Sequence, residues 1–192
     1  MYRDLLEKGY ACLRRGDPEA ARVRFQHAIE AEPARPQGYF GLAQTYLDPE
    51  HQQASEEAIR AFTKALDVDP AYASARAFLG IELLKKYQVH EAEAALERAL
   101  NDDPTNLLVH IKYAEYYYRL GFYHRAVGIL EQGLQTPHGA NEHVVALARR
   151  LLLEARRRSK NSILREPPDP RPVRLLRLFS WFKSRKSAVK TA

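Results

Sequence analysis

The chain has 192 residues, of which 45% are hydrophobic and 28% are charged, so it can bury a core and is not disordered throughout. Its single cysteine, Cys12, excludes an internal disulfide framework and favours a reducing, cytoplasmic compartment. Residues 1–140 carry 16 Lys and Arg against 20 Asp and Glu, whereas residues 141–192 carry 14 against 4. The net charge of +6 thus comes from the C-terminal part of the chain alone. This distribution excludes a uniformly basic nucleic-acid surface and indicates a separate basic C-terminal segment.

A short phrase recurs along the first half of the chain and ends each time in an acidic residue and proline. It reads GDPEAARVRFQHAIEAEP, then SEEAIRAFTKALDVDP, then HEAEAALERALNDDP. Alignment on the prolines brings small, large and small residues into register: Ala21, Ala58 and Ala92; Phe25, Phe62 and Leu96; Ala28, Ala65 and Ala99. Small residues let helix axes approach closely, and proline ends a helix. Each phrase therefore predicts the second helix of an antiparallel pair. In the first unit this second helix is predicted to start at Asp17-Pro18, an N-cap followed by proline.

This 34-residue pattern resembles the tetratricopeptide repeat. The resemblance implies an all-α fold, a TPR-type α-solenoid in which helix-turn-helix repeats form a right-handed superhelix. It covers four units, at about 2–35, 36–72, 73–106 and 107–139. An apolar stripe predicts a further helix over 141–160 that caps the last unit, so that residues 1–160 form one repeat domain.

The units depart from the pattern at a few positions. Arg76 and His110 stand early in the first helix of units three and four, where the resemblance implies a large apolar residue. Three extra residues around Asp48–Ser55 predict a longer turn in unit two. Gly121, Gly128 and Gly133 are interpreted as turn or packing glycines.

The resemblance also implies a concave groove that is made by the first helix of each unit. The residues it places there are Tyr10, Leu13, Phe40, Gln44, Phe78, Ile81, Lys85, Ile111, Lys112 and Tyr118. This mainly apolar lining suits an amphipathic helix or an extended apolar peptide of a partner protein. The alternative is that part of the lining packs between helices.

One subgroup of the family binds C-terminal carboxylates of chaperones with a clamp of Lys, Asn and Arg. The matching positions here hold Leu6, Tyr10, Gly41, Ser74 and Phe78, so the clamp is absent. We therefore do not expect chaperone-tail binding.

Catalysis is not expected, because the seven histidines are scattered and no HExxH, GxSxG, P-loop or GxGxxG motif occurs. No cofactor or metal site is predicted, and Cys12 falls at a packing position, where a thiol is inert. The tyrosine run Ala114–His124 is assigned to core and groove, because the surrounding body is net acidic and would repel phosphate. No specific nucleic acid is expected as a partner.

The C-terminal segment divides into a proline-rich linker, residues 161–172, and a basic amphipathic tail, residues 173–192. Apolar residues share one face of a helix drawn through the tail, with arginines toward the other; the residues are Arg174, Leu175, Arg177, Leu178, Phe179, Trp181 and Phe182. Such a segment suits an anionic membrane surface. A helix that docks on a partner or in the chain's own groove, and a disordered basic tail, are the alternatives.

Together these features predict a non-catalytic adaptor or scaffold that holds a partner segment in its groove. The tail would attach it to a membrane surface or to a second partner, so the predicted location is cytoplasmic or membrane-associated through the tail. A structural subunit that self-associates through its repeat ends, near Lys8 and Asn141, is the alternative. A third class is a membrane-anchored regulator held shut by its own tail.

Overall fold

Nine α-helices and no strand occupy the part of the chain that the structure, a computed structural model, describes: residues 1–47, 55–137 and 139–160. They are α1 (Tyr2–Arg14), α2 (Pro18–Ala31), α3 (Pro36–Gln44), α4 (Glu56–Val68), α5 (Ala73–Lys85), α6 (Val89–Asp102), α7 (Leu107–Arg119), α8 (Tyr123–Gln135) and α9 (Glu142–Lys160). Residues 48–54, which form most of the predicted long turn, and the predicted linker and tail lie outside the described residues.

The first eight helices form four pairs, α1/α2, α3/α4, α5/α6 and α7/α8, and each pair packs against the next. First helices also contact each other, as α1 contacts α3 and α5 contacts α7. This arrangement of stacked pairs is the one that the recurring phrase predicts.

Side-chain caps set the start of several helices. The Asp17 carboxylate accepts a hydrogen bond from the Ala20 amide at 2.9 Å, and Pro18 opens α2. The Ser55 hydroxyl accepts from the Ala58 amide at 3.2 Å at the start of α4. These contacts satisfy amides that have no partner within the helix, which is why the chain changes direction at these points.

Phe25 fills the space between the first two pairs and is fully buried. A Cβ built on Gly9 would lie 2.7 Å from its ring, and one built on Gly41 would lie 2.3 Å from it. Both glycines are therefore needed for their lack of a side chain, because any other residue would collide with the phenylalanine.

The two departures from the repeat pattern have local partners. Arg76 lies 3.1 Å from the Asp102 carboxylate on α6 and also donates to the Pro70 carbonyl. His110 is buried against Gly133, and its Nδ1 lies 3.2 Å from the Asn106 carbonyl oxygen. Burial lowers the pKa of His110, so the neutral ring is the favoured form.

The tyrosine run of α7 contributes three buried rings, Tyr113, Tyr116 and Tyr117. The Tyr117 hydroxyl donates to the buried Glu93 carboxylate at 3.0 Å, and the Tyr116 hydroxyl donates to the Val89 carbonyl at 3.4 Å. Burial raises the pKa of all three tyrosines. The core role predicted for this run is therefore correct, and these rings are not available to stack on bases.

The glycines of α8 correct one prediction. Gly133 is a packing glycine, because an added Cβ would lie 2.6 Å from His110, and Gly121 is a turn glycine with φ 85°. Gly128 is neither, since it lies in mid-helix, is exposed and has no neighbouring atom near the position of a Cβ.

In the first, third and fourth units, whose inner turns the structure describes, the turn between the two helices contains a residue with left-handed backbone conformation at the same position. It is Gly16 in the first unit with φ 76°, Tyr87 in the third with φ 62° and Gly121 in the fourth with φ 85°. Tyr87 is the exception to glycine at this position, and its side chain is 88% exposed.

The last helix, α9, packs on α8 and α7. Its buried face consists of Ala148, Leu152 and Ala155. Leu147, an apolar residue of the stripe that predicts this helix, is 46% exposed and so lies outside the buried face.

Candidate functional site: the surface of the first helices

The ten predicted groove residues all lie on the first helices of the pairs. Tyr10 and Leu13 are on α1, Phe40 and Gln44 on α3, Phe78, Ile81 and Lys85 on α5, and Ile111, Lys112 and Tyr118 on α7. Four of them are buried, at 3–8% exposure: Phe40, Phe78, Ile81 and Ile111. The remainder, apart from the Lys85 side chain at 8%, are partly exposed.

Two of the buried residues belong to an aromatic cluster. The rings of Phe40 and Phe78 are 5.3 Å apart, and they lie 5.8 Å and 5.6 Å from the ring of Phe62 on α4. Phe62 has no exposed surface. Phe40 and Phe78 therefore pack between helices and expose little surface for direct contact with a ligand.

A buried ion pair fixes Lys85. Its ammonium group lies 2.7 Å from Glu82 one turn earlier, and both side chains are nearly inaccessible. The second oxygen of Glu82 accepts a hydrogen bond at 3.1 Å from the Ser55 amide, at the start of α4. Glu82 thus joins α5 to α4 and neutralises the charge of Lys85.

A second charged group lies on α7. Lys112 and Arg119 contact the Glu115 carboxylate at 2.9 Å and 2.7 Å, and the Lys112 ammonium lies 4.3 Å from the centre of the Phe78 ring. Burial alone would raise the pKa of Glu115, but the two cations outweigh it and hold that pKa below its usual value. The carboxylate is therefore ionised near neutral pH and orients both cations.

The partly exposed aromatic residues stand at the two ends of the array. The Tyr10 ring packs edge-on against Phe25 at 5.0 Å. The Tyr118 hydroxyl donates to Glu154 of α9 at 3.3 Å, and its ring lies 5.2 Å from that of Tyr123. Leu13 and Gln44 lie on the same helices as Tyr10 and Phe40 and are also partly exposed.

Sequence reasoning missed Glu82, although it did name Lys85. The spacing of three residues between them is a signal of an ion pair on one helix face. The contact of Glu82 with the Ser55 amide had no such signal, because these residues stand 27 positions apart and meet only when the pairs stack.

Two classes of site have no representative in the described part of the chain. Across residues 1–47, 55–137 and 139–160, no three His, Cys, Asp or Glu side chains are grouped as a metal site requires. None of the described helices has the length and apolar character that crossing a bilayer demands. The Cys12 thiol is buried.

The architecture is that of an all-α solenoid built from helix-turn-helix repeats. A mouse relative, interferon-induced protein with tetratricopeptide repeats 3, is 26% identical over 130 residues, which are 68% of this chain and 32% of that protein. The chain therefore spans about a third of the length of this curated relative. No protein-family model matches the chain.

Solved structures repeat this result at the level of the fold. A thermophilic TPR protein of Thermus thermophilus has a TM-score of 0.64 and 19% identity, over 96% of this chain and 98% of the other. The first TPR of Spaghetti (RPAP3), solved with HSP90 peptide SRMEEVD, has a TM-score of 0.52 and 20% identity, over 62% and 92%. The chain has the tetratricopeptide-repeat fold and is similar to tetratricopeptide-repeat proteins, as the recurring phrase predicts, and the predicted fold class is confirmed.

Proposed function

We propose that this protein is a non-catalytic interaction scaffold that holds an apolar or amphipathic segment of a partner protein on its first helices. A scaffold role is the one that its tetratricopeptide-repeat relatives support. The observation that carries the proposal is the set of predicted groove residues that stay partly exposed on the first helices: Tyr10, Leu13, Gln44, Lys112 and Tyr118.

The charges on these helices favour an apolar ligand over a carboxylate. Lys85 is paired with Glu82, and Lys112 shares Glu115 with Arg119. A ligand carboxylate would have to compete with these fixed carboxylates, and the ion pairs leave little net charge to attract it. The SRMEEVD peptide is a ligand of the Spaghetti structure, and the missing clamp argues against the same ligand here.

Fixed side chains also lower the entropic cost of binding. Lys112 is held by both Glu115 and the Phe78 ring, and Tyr118 is held by Glu154 and Tyr123. Side chains that are ordered before the ligand arrives do not have to be immobilised by it. The first helices therefore offer a prearranged surface rather than a flexible one.

Amide chemical-shift mapping tests the proposal. The full-length chain would be titrated with a neutral amphipathic peptide, and the expected shifts fall on α1, α3 and α7. Leu13→Asp should weaken binding by about tenfold, since it places a charge on the apolar contact. Val23→Asp is the matched control, because Val23 is an apolar residue of α2 that is already 46% exposed. Equal losses in both variants, or shifts confined to second helices, would rule out this surface.

For the tail we propose attachment to an anionic membrane surface, and the basic and aromatic residues of 173–192 support it. Co-sedimentation would compare the full chain with a chain that ends at Asn161, on anionic and on neutral vesicles. We expect only the full chain to sediment, only with anionic lipid, and less at high salt. Sedimentation of neither chain would rule out membrane attachment and leave a protein contact or a disordered tail.

A further inference from the structure

The outer side of α9 carries an exposed leucine among cations. Leu153 is 71% exposed. Arg149 and Arg150 lie one turn before it, Arg157 one turn after it and Lys160 a further turn on, and all four are exposed. Residues that are three, four or seven apart are neighbours on a helix, so these five side chains form one surface, which we call the α9 basic face.

The cations of this face have no carboxylate within ion-pair distance among the described residues, and Arg157 has only a longer-range interaction with Glu154. Two other arginines of the helix are paired, Arg156 with Glu131 at 2.7 Å and Arg158 with Glu154 at 3.2 Å. The four cations of the α9 basic face form no ion pair in the described ranges. The face differs in this respect from the first helices of the third and fourth pairs, where Lys85 pairs with Glu82 and Lys112 pairs with Glu115.

The α9 basic face lies away from the side of α9 that packs on the repeats. At the eighth position of each unit the four first helices have a small residue, against which the second helix packs: Gly9, Ala43, Gly80 and Ala114. An added Cβ on Gly80 would lie 2.9 Å from Leu96 of α6, which shows how close this approach is. A further 34 residues along the chain lies Ala148, which is fully buried, whereas its neighbour Arg149 is exposed on the α9 basic face.

We propose that the α9 basic face binds an acidic amphipathic helix of a partner protein. Carboxylates on such a helix would pair with the four cations, and its apolar side would cover Leu153. A second copy of this chain is disfavoured as the occupant, because it would present the same positive face. The chain's own residues 161–192 are disfavoured for the same reason, since they carry 8 Lys and Arg against 2 Asp and Glu. The proposal is independent of the groove on the first helices.

Fluorescence anisotropy with designed peptides tests it on the full-length chain. The probe is a labelled amphipathic peptide of about 18 residues, or five turns, with leucines on one side and glutamates on the other. A leucine–lysine peptide of the same pattern reports on charge, and a scrambled leucine–glutamate peptide reports on amphipathicity. We expect only the patterned acidic peptide to bind well, with an affinity that falls as salt rises.

Matched variants locate the contact. Arg149→Glu with Arg157→Glu should weaken binding by at least about tenfold, and Leu153→Ser should weaken it by about fivefold at unchanged charge. Arg24→Glu, on the exposed side of α2, makes the same kind of charge reversal elsewhere and should change binding by less than about twofold.

Three outcomes would overturn the proposal. The first is equal binding of the acidic and basic peptides. The second is acidic-peptide binding that is lost in Lys112→Glu but kept in the α9 variants, which would assign it to the first helices. The third is capture by anionic vesicles that depends on Arg149 and Leu153 without any peptide binding, which would make the face a lipid surface.

Discussion

The two halves of the array differ in the chemistry of their cores. In the first half the apolar ring of Phe25 packs between the first two pairs, in contact with glycines. In the second half the position equivalent to Phe25 is Leu96, which is also buried, but polar groups are buried as well: the Tyr117 hydroxyl donates to the Glu93 carboxylate between the last two pairs, and a neutral His110 lies against Gly133 within the fourth pair. The repeat thus specifies the volume and spacing of a core position, but not the polarity of its neighbours. The apolar half should respond to changes in volume, and the polar half to lost hydrogen bonds and to pH.

The largest effect is expected from Phe25→Ala, which should lower the free energy of unfolding by about 3–5 kcal/mol, because it empties a fully buried site. Urea denaturation followed by circular dichroism measures it, and Phe25→Leu gives a milder loss if the alanine variant does not fold.

Gly41→Ala tests the same contact from the other side. Its Cβ would collide with the Phe25 ring, so we expect a loss of about 1–3 kcal/mol in the free energy of unfolding. In the Phe25→Ala background this loss should disappear, because the ring is gone. Additive losses in the double variant would show that the two residues are not in contact.

In the polar half, Glu93→Leu should lower the free energy of unfolding by about 1–3 kcal/mol, because it leaves the buried Tyr117 hydroxyl without its acceptor. Adding Tyr117→Phe should restore part of the loss, since the unpaired hydroxyl is then absent, while the Tyr113 hydroxyl, 3.4 Å from that of Tyr117, keeps only Glu97 as a partner. Glu91→Leu, an exposed change on the same helix, is the control and should shift stability by less than about 0.5 kcal/mol. No recovery in the double variant would mean that Glu93 acts on another partner.

The pH response of this half should come from His110. Burial lowers its pKa in the folded state, so below pH about 6.5 the unfolded chain binds the proton more readily than the folded one. Stability is therefore complete above that pH and falls as the pH drops toward the folded-state pKa, by at most about 1.4 kcal/mol per pH unit. Urea midpoints between pH about 7.5 and 5.5 should fall in the parent chain and fall less in His110→Leu. Parallel curves for the two chains would remove His110 as the cause.

Local signals explain what could be predicted from the sequence. Asp17-Pro18 marks a helix start by its own chemistry, and the aligned small and large residues reveal Phe25 as a core position. The depth of Phe40 and Phe78 could not be predicted, because helical periodicity gives their direction but not the Phe62 ring that meets them from another helix.

The same limit applies to the polar contacts of the core. Glu93 and Tyr117 stand 24 positions apart, and neither has a sequence neighbour that signals the hydrogen bond between them. A repeat alignment shows which positions face inward, but a polar residue at such a position acquires its partner only when two pairs stack. The sequence therefore showed His110 as a departure from the repeat pattern, but it did not reveal the hydrogen bond between Glu93 and Tyr117.

The smallest change in the free energy of unfolding is expected from variants in the turns between the two helices of a pair. Tyr87 has the left-handed conformation that Gly16 and Gly121 have in the first and fourth units, and this conformation costs a residue with a side chain about 1–2 kcal/mol. Its side chain is 88% exposed, so Tyr87→Gly removes strain and little packing. The greater freedom of glycine in the unfolded chain offsets part of the gain, which leaves a net stabilisation of up to about 1 kcal/mol in urea denaturation. Gly16→Ala is the reverse experiment, because open space surrounds that position and any loss reports backbone strain alone. If Tyr87→Gly destabilises the chain while Gly16→Ala does so as expected, the tyrosine ring makes a contact that offsets its strain, and the turn of the third unit is held by its side chain rather than by its backbone.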